Sequence, residues 1–262
     1  MILGEILMET DRNTSDNEYT VMTGEDIGED ILRGIMDIDR ETYDECYVGD
    51  TDNMIERFRA EKRSFVCLKK NDELIGYINF FPVTDLLWDE IVTAGKRIRD
   101  DDITAQEIYP FSTPDGQSGE GYNLFILSVV ILEKYRCKQA VMCLTEGFID
   151  CINRLEEDGY RINAIAGAAI SEDGMKFMRE RMFYFKREVT GLSGDDETDR
   201  IFVCDGAFLE SFREKKGFHY KKNYEDDLYM IIPFSSGDGG FRHLPEGYDS
   251  VPKRSEEHTS EL

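Results

Sequence analysis

The run YNLFILSVVI, Tyr122–Ile131, constrains this chain more than any other stretch. It is apolar over nearly its whole length and shows little alternation. A strand with one wet face alternates inward and outward residues, so this one is expected to be covered on both faces, inside a sheet. The following segment, LEKYRCKQAVMCLTEGF, opens an amphipathic helix. Val141, Leu144, Phe148, Ile152 and Leu155 recur at three- and four-residue steps, and Gly159 is the expected stop. A buried strand that enters a helix through Arg136, Lys138 and Gln139 sets up an anion site. The helix start offers unpaired N–H groups and the positive end of a dipole. The alternative at this point is a basic helix start with no ligand, where Arg136 and Lys138 are simply exposed.

The neighbours of that strand can be read in order. EYTVMT is a first strand. DILRGIMDIDRETYDECY sets Ile31, Ile35, Ile38 and Tyr43 near one helical face. TDNMIERFRAEKR is a second helix with Thr51 or Asp52 as its expected N-cap. SFVCLKK and ELIGYINFF form a hairpin across the turn signal NDE. An insertion, 83–120, follows, with helical spacing at Leu86, Leu87, Ile91 and Val92 and a polar loop, STPDGQSGEG. Beyond the long helix, INAIAGAAI is a strand of small residues, against whose backbone something packs closely. Ser171 caps EDGMKFMRERM, and FYFKREVT and RIFVCD are two more strands. AFLESFREKK and DLYMIIPF belong to an extension over 206–234. Residues 1–17 are expected to be a flexible N-terminus and 235–253 a Gly- and Pro-rich tail. Residues 254–262, RSEEHTSEL, read as the in-frame translation of a sequencing adapter and are set aside with His258. The natural C-terminus is then expected to differ from this one.

Charge and cysteine usage exclude several classes. The 262 residues carry a formal net charge of −24, which opposes nucleic acid and anionic membrane surfaces as partners. None of the six cysteines forms a C-x-x-C pair, so no zinc ribbon or redox motif is expected and no metal site is assigned. The N-terminus lacks a basic n-region and no apolar run approaches a membrane span. These features together point to a cytoplasmic protein.

The order strand, two helices, three-strand meander, helix, strand, helix and two strands, with an anion-competent turn after the central strand, resembles the GCN5-related N-acetyltransferase (GNAT) superfamily. The resemblance covers residues 18–205. It implies an α/β (α+β) fold: a mixed, mostly antiparallel central sheet flanked by helices, with a helical insertion before the central strand and a C-terminal extension. In that family the turn reads Arg/Gln-x-x-Gly-x-Gly/Ala, and its N–H groups hold the pyrophosphate of acetyl-CoA. Laid on this chain, the pattern begins at Arg136, runs through Cys137, Lys138 and Ala140, and has Gln139 and Val141 at the two glycine positions. The missing glycines narrow the space for phosphate without removing the N–H groups. Val141 is expected to point into the core. The resemblance further implies that Ile131, Leu132 and Glu133 line the cofactor through main-chain groups. The small residues of AIAGAA suit either the opposite wall or close helix packing.

A second family signature has an Asn, then a helix bearing a Tyr that protonates the CoA thiolate, then Gly-Phe. Here Ser171 stands at the Asn position, Met178 at the Tyr position and Met182-Phe183 at Gly-Phe. Tyr184 is the substitute candidate acid and Glu133 the candidate base, each alternatively a residue with no catalytic part. The resemblance implies acetyl transfer from acetyl-CoA to the amine of a small molecule or peptide, by direct attack in a ternary complex, in a monomer or homodimer. The oxyanion donor is expected near the main chain of Leu132. Tyr43, Tyr47, Phe81 and Trp88 are aromatic candidates for acceptor contacts or core. Asp100, Asp101 and Asp102 either attract a cationic amine or are solvated. The alternative reading is a noncatalytic GNAT-fold binding or scaffold module.

Overall fold

The computed structural model describes residues 19–181, 183–190 and 198–213, together with the backbone of a separate hairpin, β8 (Phe218–Lys222) and β9 (Tyr229–Pro233). The expected N-terminal segment 1–17, the tail 235–253 and the adapter-like end 254–262 lie outside the described residues.

A seven-stranded sheet runs in the order β1-β2-β3-β4-β5-β7-β6. Its strands are β1 (Tyr19–Thr23), β2 (Phe65–Lys70), β3 (Glu73–Pro82), β4 (Tyr122–Ile131), β5 (Ile162–Ala169), β6 (Tyr184–Thr190) and β7 (Thr198–Asp205). Only the β4–β5 ladder is parallel; the other five are antiparallel. The unalternating run Tyr122–Ile131 is thus the fourth of seven strands, covered on both faces as its sequence requires. The β2–β3 hairpin turns on Asn71 and Asp72, both at positive φ (48° and 70°), the left-handed pair that matches strand twist.

One face of the sheet carries α4 (Lys138–Glu157), α5 (Glu172–Glu180) and α6 (Gly206–Arg213); the other carries α1 (Glu29–Thr42) and α2 (Thr51–Ala60). Leu144, Phe148, Ile152 and Leu155 of α4 are each at most 2% exposed, against Val66, Phe80 and Ile165. Burial of side chains this size contributes about 1.5–3 kcal/mol each. At the far end of α4, Gly159 (φ 95°) closes a Schellman turn: Tyr160 N–H donates to Leu155 O and Gly159 N–H to Glu156 O. Leu209 and Phe212 of α6 are buried in the same core as Phe148, so residues 206–213 pack as part of the domain.

Three local expectations are corrected. The N-cap of α2 is Asp50, not Thr51 or Asp52. Its carboxylate accepts from the N–H groups of Asp52 (2.8 Å) and Asn53 (3.2 Å), and a cap must precede the first helical residue. Asp50→Ala is expected to cost about 1 kcal/mol, read as a lowered thermal midpoint. Tyr43 is not on the helical face of α1: it is the extended residue after Thr42 and turns toward the neighbouring cleft. The helix of the insertion is a single turn, α3 (Asp85–Trp88), widened into a π-turn over Asp89–Thr93. Leu87, Ile91 and Val92 are buried, whereas Leu86 is 72% exposed because the widened turn leaves the 3.6-residue period.

Candidate functional site

The site begins with one extra residue in β4. Asn79 pairs with Ser128 and Phe80 pairs with Ile126, so Leu127 has no partner and forms a β-bulge. The parallel ladder to β5 stops at the same place, on the pair Ile126–Gly167. Beyond it β4 continues to Ile131 and β5 to Ala169, with a wedge open between them. A cleft of about 1030 Å³ fills the wedge. Its floor is Ile126–Ile131 and its opposite wall is Ala168–Gly174.

The direction of the β4 main-chain groups follows from one contact. Leu132 N–H donates to Ile75 O at 2.9 Å, so Leu132, Val130 and Ser128 direct their peptide groups to β3. The intervening residues, Val129 and Ile131, direct theirs into the wedge. The oxyanion donor is expected near Leu132, whose own N–H is occupied by β3. The wedge-facing N–H groups belong to Val129 and Ile131.

At one end of the cleft the turn before α4 crosses the wedge. Arg136 donates from Nε to Ile131 O (2.9 Å) and lies 3.7 Å from Asp173 of α5, so its guanidinium spans both lips. Cys137 caps α4, its Sγ accepting from Ala140 N–H at 3.5 Å. This contact and the Tyr19 hydroxyl pull the thiol below the ordinary cysteine range. Ser171 Oγ caps α5 by accepting from Gly174 N–H (3.1 Å). Arg136, Cys137, Val141, Ser171 and Ile131 all line the cleft. Lys138 and Gln139 are exposed in the first turn of α4. Ala140 is fully buried and is the first core contact of the helix, while Val141 is half-buried, packed on that core as expected and also lining the cleft. A single step along the helix separates the two by about 100°, which sets Val141 at the border of core and cleft.

Two candidate catalytic residues lie off the cleft. Glu133 is exposed in a 3-10 turn after β4 and does not line it. Leu132 turns its side chain to the α1 face. Tyr184 sits at the other end of the sheet, paired with Val203, and donates to Asp205 Oδ2 at 2.8 Å. Burial and the Asp205 carboxylate raise its phenol above the ordinary tyrosine range. Met178, at the position of the family's Tyr, is buried against the cleft. Its methyl group would lie 2.4 Å from a Cβ on Gly167, which accounts for the glycine in AIAGAA; Ala168 and Ala169 face the cleft.

The other end of the cleft is built by the α1–α2 connection, the insertion and the start of β7: Tyr43, Tyr47, Ile98, Arg99, Asp100 and Arg200. Arg97 fixes this wall by donating to Asp199 Oδ2 (3.0 Å) and Tyr47 Oη (3.2 Å), while Arg99 stacks 4.9 Å from the Tyr47 ring centre. Phe81 is fully buried, and Trp88 packs half-buried on the core. Neither lines the cleft.

Of the three consecutive acids Asp101 and Asp102 are exposed, as a solvated run would be, yet each of the three has a partner within the protein. Asp100 pairs with the fully buried Arg57 (2.7 Å), and Asp101 accepts from Asp50 N–H (2.9 Å) and Asn53 (3.0 Å). Asp102 accepts from Arg99 N–H (2.7 Å). Asp100 and Asp101 bolt the insertion to α2, and Asp102 closes the turn that carries them.

Beneath this wall lies a polar cluster absent from the sequence-based site. Asp39 of α1 is 4% exposed and accepts a short hydrogen bond from the Tyr77 hydroxyl of β3. Ser128, which the bulge turns to the α1 face, lies near the hydroxyls of Tyr77 and Tyr43. Burial lifts the Asp39 carboxyl to about 6 against the pull of Tyr77, Arg57 and Arg40. Its sequence signal was available: Asp39 falls four residues after Ile35 and seven after Leu32, inside the apolar stripe of α1.

This fold is that of the GCN5-related N-acetyltransferases. The loading GNATL domain of CurA from Lyngbya majuscula superposes with a TM-score of 0.53 at 12% identity, over 73% of this chain and 98% of that domain. Two Arabidopsis thaliana structures match more loosely. Naa50 with the bisubstrate analogue CoA-Ac-MVNAL gives a TM-score of 0.47 at 10% identity, over 71% of this chain and 97% of its own. NAA60 with acetyl-CoA gives 0.45 at 14% identity, over 71% and 97%. No protein-family model matches the sequence, and no curated protein matches it. Among the described residues no helix is long and apolar enough to cross a membrane.

Proposed function

We propose that this protein transfers the acetyl group of acetyl-CoA to an amine of a small molecule or peptide. The observation that carries this reading is the wedge opened at the Leu127 bulge between two parallel strands. Such a wedge leaves the N–H groups of Val129 and Ile131 and the carbonyl of Val129 for the pantetheine amides and the thioester oxygen, the Ile131 carbonyl being held by Arg136. Arg136 and the start of α4 stand at the mouth, where the pyrophosphate of the donor would lie. The cleft admits a donor of this size, and its far wall of Tyr43, Tyr47 and the insertion would receive the acceptor.

In direct attack the amine nitrogen bonds to the thioester carbon and the C–S bond breaks, with no covalent enzyme intermediate. The carbonyl oxygen gathers charge, which fixed N–H donors stabilise. The CoA thiolate takes its proton from solvent at the cleft mouth, since Met178 offers none.

Isothermal titration with acetyl-CoA tests the reading: saturable micromolar binding is expected, and no heat at high micromolar protein overturns it. Arg136→Glu is expected to weaken that binding at least tenfold, because it removes a cation and sets a third carboxylate beside Glu172 and Asp173. Unchanged affinity would mean the phosphates lie elsewhere. Met178 and the glycine-free turn favour a second reading, a noncatalytic binding module. Acetyl-CoA binding without CoA release across a panel of amines would select it.

A further inference from the structure

We infer that Asp39, Tyr77 and Ser128 form a buried proton relay that takes the proton from the acceptor amine as it attacks. The inference rests on the transferase reading and names the base which that reading lacks.

Three observations converge. The first is geometry. Ser128 lines the cleft at the bulge, beside the wedge-facing peptide of Val129, and lies diagonally across the β3–β4 ladder from Tyr77, on the same sheet face. Tyr77 is fully buried and donates to Asp39. The hydroxyls of Ser128 and Tyr77 thus lie in series between the cleft and a carboxyl with almost no exposure of its own.

The second is an unpaired buried amide. Asn79 is fully buried opposite Ser128 in the ladder and on the face of Tyr77, and neither its Oδ1 nor its Nδ2 meets a partner among the described residues. A buried amide without partners is costly, so a group of the bound state is expected to satisfy it.

The third is the electrostatic setting. Asp39 is faced by Tyr77 of β3, Arg57 of α2, Asp100 of the insertion, and Arg40 and Tyr43 of its own segment. Burial outweighs the two arginines and lifts the carboxyl to about 6, the range in which a group can accept a proton near neutral pH and release it again.

The step balances. The amine nitrogen forms the new C–N bond and gives a proton to Ser128 Oγ, which passes its own to Tyr77, which passes its own to the Asp39 carboxylate. CoA leaves as thiolate and is protonated by solvent. Asp39 returns its proton to solvent through the same chain.

The test uses the full chain, acetyl-CoA and two probe acceptors. Each acceptor loses one proton as its C–N bond forms, but hydroxylamine is the weaker base, so its addition intermediate gives that proton to water more readily than that of benzylamine. Asp39→Asn is expected to lower kcat with benzylamine at least thirtyfold and with hydroxylamine less than fivefold. The KM for acetyl-CoA should hold, and the limb of the pH–rate profile near 6 should disappear. Ser128→Ala should reproduce the pattern if Asp39→Asn folds poorly. Independently of turnover, a 13C-carboxyl titration of the free protein should contain one aspartate near 6 that Asp39→Asn removes. Benzylamine turnover and pH limb unchanged in Asp39→Asn and Ser128→Ala overturn the relay and leave the transferase reading standing. Wild-type protein that binds no acetyl-CoA overturns both.

Discussion

Arg57→Ala is expected to lower the free energy of unfolding by about 3–5 kcal/mol, the range for removing one partner of a buried ion pair. Arg57 has no exposed surface, and its guanidinium donates to Asp100 Oδ2 (2.7 Å) and to the carbonyls of Asp100 (2.5 Å) and Ile103 (3.1 Å). Alanine would strand the Asp100 carboxylate beside Asp39, and burial already raises the Asp100 carboxyl above the ordinary aspartate range. No local movement relieves this, because Asp100 presses on Gly49, where even a Cβ would lie 1.8 Å from its oxygen. Guanidinium denaturation of the variant measures the loss. A loss under 1 kcal/mol would show that the pair is not closed to water. Replacing both charges, Arg57→Met with Asp100→Asn, should recover most of it, since two charges removed together leave none stranded. The same lock holds Ile98, Arg99 and Asp100 against the cleft. The single variant should therefore weaken acceptor binding more than acetyl-CoA binding.

The parts of this fold that were legible depend on local periodicity. The unalternating run Tyr122–Ile131 declared a central strand, the α4 stripe declared its core face, and Ser171 declared a helix start. Asn71-Asp72 marked a hairpin. Residues whose position depends on a partner far along the chain were not legible. The Leu127 bulge exists only relative to β3, so nothing in FILSVV signals that Ser128 changes face. The three acids at 100–102 look alike in sequence, yet each has a different partner: Arg57, the start of α2, and the turn they form. Glu133 and Tyr184 are near the family motifs in sequence alone. A 3-10 turn and an unfavourable sheet end remove them from the cleft. A better signal was the polar residue that interrupts an apolar pattern: Asp39 in the stripe of α1, Asn79 in YINFF, Ser128 in FILSVV. Each is kept at a cost in stability, and three of them meet at one place.

Asp39→Asn is expected to stabilise the protein at neutral pH by about 2–3 kcal/mol while lowering benzylamine turnover. The sign follows from linkage. In the unfolded chain an aspartate titrates near 3.9, whereas in the fold Asp39 titrates at about 6, so the folded state holds its proton more tightly. Below about pH 4 both states are protonated and the group's stabilising contribution is fully present. Between about pH 4 and 6 the unfolded chain gives up its proton and the folded chain does not, and that contribution is lost. Above 6 the buried charge costs its full amount, about 3 kcal/mol for a shift of roughly two units. Asparagine retains an oxygen for the Tyr77 hydroxyl and carries no charge to desolvate. The difference in unfolding free energy between variant and wild type should therefore grow from near its minimum at pH 4 to a plateau above pH 7. Urea titrations across that range read it directly, and two parallel curves would mean that Asp39 does not titrate abnormally. A variant more stable and less active at one buried carboxyl is the result expected of a group retained for chemistry, because packing alone would favour the amide.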